Sequence, residues 1–373
     1  MAYDETMPSA RALLLFALLG SALACSSANG GADETPIKSS DGATPIDDGA
    51  APPDDGAVTP GDDTTPADPG DVAAPPPPGD TGSIVDTSAP PPPPIPGAVY
   101  GAKCTGMSAG ETTAWQEIAV IRGKAKMGAL DCIDTIQAAA RNHTHYSELN
   151  GWVLTHVEDS SKPGFTGVNF WDRMKYAAFS GPGSPMFEVA HSTGDADAAI
   201  LGQGGWINTL YHRIPFVSYG AKGYGYGGGG ALYKGSSTID FASGGATPSA
   251  STISTWPVDG DANVWTTFRC ASEIPNPLPT KTVAGYPVSI TGGGVLNVTT
   301  HTLSDPSGSA LDHVLITYKN DPYSATSPLV PKEQAYLITS SVLRPSTKYV
   351  AHFAGTSGGA PFDVTFSFTT GPT

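Results

Sequence analysis

No aromatic residue occurs between Ser26 and Ala98, and that absence constrains everything this chain can build. Residues 26–99 carry thirteen acidic side chains against one base, Lys38, which is most of the chain's net charge of −16. The same stretch holds about half of the 35 prolines, including the runs Pro75–Pro78 and Pro90–Pro94. Such a segment cannot bury enough apolar surface to offset its chain entropy, so a disordered linker is expected over 26–99. Proline runs stiffen it locally and like charges extend it, as suits a tether. The acidity of the chain therefore belongs to the tether. The remainder of the chain is close to neutral and carries no basic stripe, which argues against nucleic acid as a partner.

Ahead of the tether, Arg11 is followed by an apolar run from Ala12 to Leu23, broken at Gly20 and Ser21. The run closes on Ala22-Leu23-Ala24-Cys25-Ser26-Ser27. A short apolar stretch behind a basic residue, ending in small residues, reads as a secretory signal peptide over 1–25. It is too short for a spanning helix, which needs about 20 apolar residues. Its end resembles the lipobox of bacterial lipoproteins, with Ala22 where that motif carries Leu. The resemblance implies an acylated Cys25 as the mature N-terminus, the lipid bilayer as a partner, and a position on the cell envelope facing outside the cytoplasm. An ordinary cleaved signal would leave the protein secreted instead. Asp4 and Glu5 are unusual in such a leader, and initiation at Met7 would remove them.

About 270 residues remain after Tyr100, more than one core usually covers, so two domains are expected. Aromatics, glycines and five of the eight histidines crowd into 100–272, and the stiff connector Ile274-Pro275-Asn276-Pro277-Leu278-Pro279 precedes a β-rich segment over 280–373. Beyond Cys25 the cysteines are Cys104, Cys132 and Cys270. In an oxidising compartment one pair closes a disulfide and one thiol is left over, with the pairing open.

Thr112 to Met127 and Cys132 to Leu149 read as helices; in the second, Ile133, Ile136, Ala140 and His143 follow one buried face. His143 and His145 are two apart and project to different sides of that helix. Then come Leu154-Thr155-His156, Phe170-Trp171-Asp172-Arg173, Phe187-Glu188-Val189 and Trp206-Ile207-Asn208-Thr209-Leu210-Tyr211-His212-Arg213. This succession resembles the CAP superfamily (cysteine-rich secretory, antigen five and pathogenesis-related proteins; SCP-like) in its bacterial form. There a loop "Leu-Ser-His-Thr", an "Asp-Arg", a "Glu-Asn-Ile" and a "Trp-x-x-Ser-x-x-His-Arg" follow in that order. The resemblance covers roughly 105–270 and implies a CAP-type α-β-α sandwich with His156, Glu188 and His212 on one cleft. His191, three after Glu188, is a further candidate. The chain departs from the pattern at Val189, where the family has Asn, and at Thr209, where it has a second Glu.

Imidazoles with an adjacent carboxylate can hold a divalent metal such as zinc, or orient one another around a bound ligand. The alternative for each is a hydrogen-bonded structural role. The run Gly220 to Gly230 lacks the Gly-Lys-Ser/Thr ending of a phosphate loop and reads as turn and strand edge. Tyr224 and Tyr226 within it could line a groove, but exposed hairpin residues are the commoner use and the one expected.

Residues 284–373 alternate as half-buried strands do, with breaks at Gly292–Gly294, Asp305-Pro306 and Gly358-Gly359. Leu343-Arg344-Pro345-Ser346-Thr347-Lys348-Tyr349 resembles a corner of bacterial Ig-like domains, implying an Ig-like β-sandwich that spaces or adheres. The expected fold class is thus α+β, a CAP-type sandwich followed by an Ig-like one behind a disordered tether. The expected function is a non-enzymatic binding module with a His/Glu cleft for an apolar or lipid-like ligand or a divalent metal. A metal-dependent hydrolase using His156, Glu188 and His212, or a structural and adhesive surface protein, are the rival readings. Mass spectrometry of the mature protein is expected to find an acylated N-terminal Cys25, and Cys25→Ala is expected to release the protein from membranes.

Overall fold

Ser108 opens the first helix by a reciprocal cap: its side chain accepts from the Glu111 N–H and the Glu111 carboxylate accepts from the Ser108 N–H. The computed structural model describes residues 95–373 apart from 182, 229–234, 325–328 and 373. The leader, Cys25 and the tether as far as residue 94 lie outside the described residues. Residues 95–99, expected as tether, instead reach the first helix, where the Val99 N–H donates to the Ala119 carbonyl at 2.9 Å. All described residues belong to one compact unit.

The first part has helices α1 (Ala109–Lys124), α2 (Asp134–Leu149), α3 (Phe170–Tyr176) and α4 (Ala196–Leu201). Its strands are β1 (Asp131–Cys132), β2 (Pro185–His191), β3 (Ala221–Gly227) and β4 (Ser237–Ser243), in the order β1-β3-β4-β2. β1 runs parallel to β3; the other pairings are antiparallel. Helix α1 starts three residues earlier than its apolar pattern implies, because the Ser108 cap, rather than the first apolar residue, sets its origin.

Strand alternation divides the sheet into two faces. Val189, Tyr224, Tyr226, Ile239 and Phe241 join Ile118 and Ile121 of α1 and Ile200 of α4 in one apolar core. On the other face Ala242 packs with Ile136 and Ala139 of α2 and Met174 of α3. The glycines of β3 explain how α2 gets so close. A Cβ on Gly225 would strike the Gln137 backbone, and one on Gly227 would strike that of Ala140. Tyr224 and Tyr226 are therefore core residues and not exposed hairpin residues; each is 1 % exposed. The Gly-Tyr alternation puts bare backbone against a helix and aromatic rings against the opposite core. Cys104 and Cys132 form the disulfide, and Cys270 stays a buried free thiol.

The second part is two four-stranded sheets. One contains β5 (Ile253–Trp256), β9 (Val288–Gly292), β11 (His313–Thr317) and β12 (Gln334–Thr339) in the order β11-β12-β9-β5. The other contains β6 (Asp261–Val264), β10 (Leu296–Ser304), β13 (Lys348–Ser357) and β14 (Ala360–Thr370) in the order β10-β13-β14-β6. A short pair, β7 (Thr267–Phe268) and β8 (Ala284–Gly285), flanks the prolines of the connector. Val288, Ile290 and Leu337 from one sheet and Leu303, Phe353 and Phe366 from the other share a core. Strands β5 and β6 join these sheets ahead of the Pro-rich connector, so the chain enters the second part near residue 253.

Arg213 stitches the two parts. It is fully buried; Nε donates to the Ile207 carbonyl at 2.7 Å, and Nη1 to the Pro287 carbonyl at 2.7 Å and Ser289 Oγ at 3.1 Å. Among the described residues no helix is long and apolar enough to cross a membrane. Gly225→Val is expected to cost about 1–3 kcal/mol, the usual penalty for overpacking a tight contact, read from the urea midpoint at unchanged slope.

Candidate functional site

Glu188 lies on β2 directly opposite Asp240 on β4, both on the sheet face covered by α2 and α3. Three elements converge there. Helix α3 is fixed by Asp172, whose carboxylate accepts from the Asn169 N–H at 3.2 Å. That turn aims the next residue, Arg173, inward, where it is fully buried and its Nη2 donates to Glu188 Oε2. The adjacent Asp-Arg pair thus divides its work between capping a helix and supplying a buried cation. Arg173 Nη1 and Nη2 also reach the His156 carbonyl at 3.4 Å and Nη1 that of Val168 at 3.3 Å, while Nε makes no hydrogen bond among the described residues.

Glu158 completes the surround. Its Oε2 accepts from the Thr166 N–H at 2.7 Å, and its Oε1 faces His143 Nδ1 at 2.9 Å and Arg173 Nε at 3.8 Å. His143, on α2, meets the Thr155 carbonyl at Nε2, 2.7 Å away, so both ring nitrogens face acceptors. These contacts pin the ends of loop 155–158 and leave His156 between them. The His156 Nδ1 lies 2.8 Å from Glu188 Oε1, and its side chain is 51 % exposed whereas that of Glu188 is 2 % exposed.

Burial alone would raise the Glu188 carboxyl, but Arg173, His143 and His156 outweigh it and hold Glu188 well below the usual carboxylate range. Asp240 goes the other way. Complete burial, and then the Glu188 charge across the ladder, push it well above its ordinary value despite Arg173. No donor among the described residues reaches either Asp240 oxygen; its side-chain neighbour is the Glu188 carboxylate, itself an acceptor. A protonated Asp240 removes that conflict, because its hydroxyl can donate to the Glu188 carboxylate.

His212 is set apart from His156 and Glu188. Glu188 and His191 are three apart on one strand and project to opposite faces. His191 goes with the other core, its ring edge-on to Trp206 at 6.0 Å. Burial and, next, the charge of His212 keep the His191 ring below its ordinary value. His212 Nδ1 donates to Glu273 Oε1 at 3.1 Å, and the same carboxylate accepts from the backbone N–H groups of Leu210, Tyr211 and His212. Among the described residues no group of three or more His, Cys, Asp or Glu is arranged to hold a metal ion. Both Glu188 oxygens are engaged, by His156 Nδ1 and Arg173 Nη2, and Nε2 of His156 has no hydrogen-bond partner among the described residues.

No protein-family model matches the chain, and no curated protein matches it. A solved structure described as an extracellular protein containing a SCP domain from Bacillus anthracis str. Ames is similar at 20% identity and a TM-score of 0.30. The likeness covers 36% of this chain and 40% of that one, so the chain spans less than half the length of the structure it matches.

Asp240→Asn tests the proton assignment. A carboxyl whose folded value is raised keeps its proton while the unfolded chain releases it above about pH 4, so stability falls as pH rises through that window. The Asn variant is spared this loss. Chemical denaturation is therefore expected to find Asp240→Asn gaining on the wild type between about pH 4 and pH 7, and the gain disappearing at lower pH.

Proposed function

We propose that this chain is a secreted, envelope-anchored CAP-type (SCP-like) binding protein that seats a ligand with an apolar body and a polar head over His156. Convergence supports the family reading: the loop His156 and the Arg173 of the Asp-Arg pair come together on the buried Glu188 carboxylate. Helices packed on both faces of the β1-β3-β4-β2 sheet agree with an α-β-α sandwich. Two sheets with a common core agree with an Ig-like second domain, as does the Tyr349 hydroxyl, which accepts from the Arg344 N–H at 2.8 Å at the corner before β13. The anchor is the acylated Cys25.

The observation that carries ligand binding is the setting of the His156 ring. Nδ1 is held by Glu188, which leaves Nε2 toward solvent. The segments flanking it expose Leu149, Trp152, Val153, Leu154, Val157 and Val168. Singly exposed apolar residues are ordinary, but so many within twenty positions around one polar ring mark an interaction surface. Trp152 is moreover held at φ 64°, a region bulky residues avoid, so the fold maintains its position against local preference.

A hydrolase reading has one favourable feature, an imidazole oriented by a buried carboxylate. Among the described residues no hydroxyl or thiol is hydrogen-bonded to His156, so that pair lacks a nucleophile to activate. Titration with lysophosphatidylcholine below its micelle concentration, followed by tryptophan emission, tests the binding reading. Leu154→Asp is expected to weaken binding roughly tenfold or more, the value of one buried leucine, and His156→Ala to weaken it measurably. Binding unchanged in both variants would remove the reading. Turnover of an ester or peptide substrate abolished by Glu188→Gln would replace it with the hydrolase.

A further inference from the structure

Arg122, in the last turn of α1, is 2 % exposed, and no carboxylate pairs with it among the described residues. Its Nε donates to the Gly128 carbonyl at 2.8 Å. Nη1 donates to the carbonyls of Ser218 at 2.6 Å and Phe216 at 3.2 Å and touches Met127 Sδ at 3.3 Å. Nη2 has no protein partner among the described residues, and it is not one of the buried nitrogens sealed away from solvent. Burial pulls the guanidinium down to about 10, with Tyr219 acting the other way, so it stays charged at neutral pH.

A pocket of about 380 Å³ opens on this side chain, walled also by Ala129, Tyr219, Lys222, Gly245 and Ala246. Its size falls at the lower end of the range for small-molecule sites. The walls are a tyrosine ring, alanines and glycine backbone. Lys222 adds a second cation; one of its hydrogens goes to Asp131 Oδ2 at 2.7 Å. Tyr219 is fixed in place: Ser254 Oγ donates to the Ala125 carbonyl at 2.6 Å, so the Tyr219 hydroxyl donates to Ser254 Oγ. A buried cation at the base of an apolar cavity lowers the cost of a ligand anion and leaves a neutral ligand with nothing to gain there.

We propose that this pocket is a binding site for a small apolar carboxylate, its oxygens on Arg122 Nη2 and the Lys222 ammonium and its body against Tyr219, Ala129 and Ala246. The site is separate from His156 and does not depend on the function proposed above. Such a carboxylate is carried by a free aryl or short acyl acid, or by the C-terminus of a peptide ending in an apolar residue.

Calorimetric titration of the full chain with benzoate tests it. Saturable binding is expected, weakened roughly tenfold or more for the neutral isostere benzamide, the value of a charge-assisted hydrogen bond. Inorganic phosphate, which lacks the apolar body, is expected to bind more weakly than benzoate. N-acetylphenylalanine binding more tightly than benzoate would assign the site to peptide C-termini, and the reverse order to free acids. Arg122→Gln is expected to abolish the preference for benzoate over benzamide. Should that variant fail to fold, Ala246→Trp, which fills the cavity from its exposed rim, is expected to abolish benzoate binding on its own. His156→Ala is expected to leave it intact. Absent benzoate binding, equal affinity for benzamide or phosphate, or undiminished binding in Ala246→Trp would each overturn the proposal.

Discussion

A guanidinium with no access to water has to be neutralised where it stands, and Arg173 meets this requirement with carboxyls from three separate segments. Glu188 comes from β2, Asp240 from β4 and Glu158 from the loop after α2. Removing one partner of such a buried group leaves an uncompensated charge worth several kcal/mol, so the segments are bound to one another more tightly than their apolar contacts require. Burial and the Glu188 charge push the Asp240 carboxyl well above its ordinary value, which favours its neutral form beside Glu188. Electrostatics therefore fixes the spacing between the β2–β4 ladder and the α2–α3 layer. His156 inherits its orientation from that spacing, since Glu188 and the pinned Thr155 carbonyl define where its ring lies.

How much of this could be read from the chain depends on whether the cause was local. The first two helices were legible within a few residues from their apolar patterns, but the Ser108 cap that sets the start of α1 was not. The pairing of His156 with Glu188 was legible only through the order of motifs, because 32 positions separate them. His143 was legible as a buried helical residue but not as a partner of Glu158. Asp240 gave one local signal: an acid in the middle of Thr238-Ile239-Asp240-Phe241-Ala242, a strand with neighbours on both sides. Such a residue is either neutral or paired, and the sequence does not say with what. Glu273 gave none, since its partners are backbone amides more than sixty positions away. Tyr224 and Tyr226 mislead because glycine neighbours suggest a loop, when the glycines in fact let α2 lie directly on the strand.

The junction between the two parts follows a different logic. Leu210, Tyr211 and Ile214 from the first part pack with Phe268, Ile316, Tyr336 and Ile338 from the second in a core of their own. Polar links cross the same region: Trp256 Nε1 donates to the Tyr286 hydroxyl at 3.1 Å, which donates in turn to Asn208 Oδ1 at 2.9 Å. Apolar burial supplies most of the attraction, and the hydrogen bonds restrict it to one orientation. A flexible bead-on-a-string arrangement would need neither.

Among the described residues three arginines are almost wholly buried, and the difference in how each is compensated separates structure from site. Arg173 is matched by carboxyls and is electrostatically complete. Arg213 has carbonyl and hydroxyl acceptors, and its guanidinium lies 5.1 Å from the Tyr286 ring and 5.9 Å from the Tyr336 ring, so π-faces take the place of an anion. Arg122 has carbonyls and a thioether on one edge and open volume on the other. Carbonyl dipoles satisfy donors but do not cancel a charge, and a cation left in that condition beside a cavity attracts an anion from outside the chain. Arg173 Nε and Arg213 Nη2 also lack hydrogen-bond partners among the described residues but are sealed in the interior, whereas Arg122 borders open volume and so has room for a ligand.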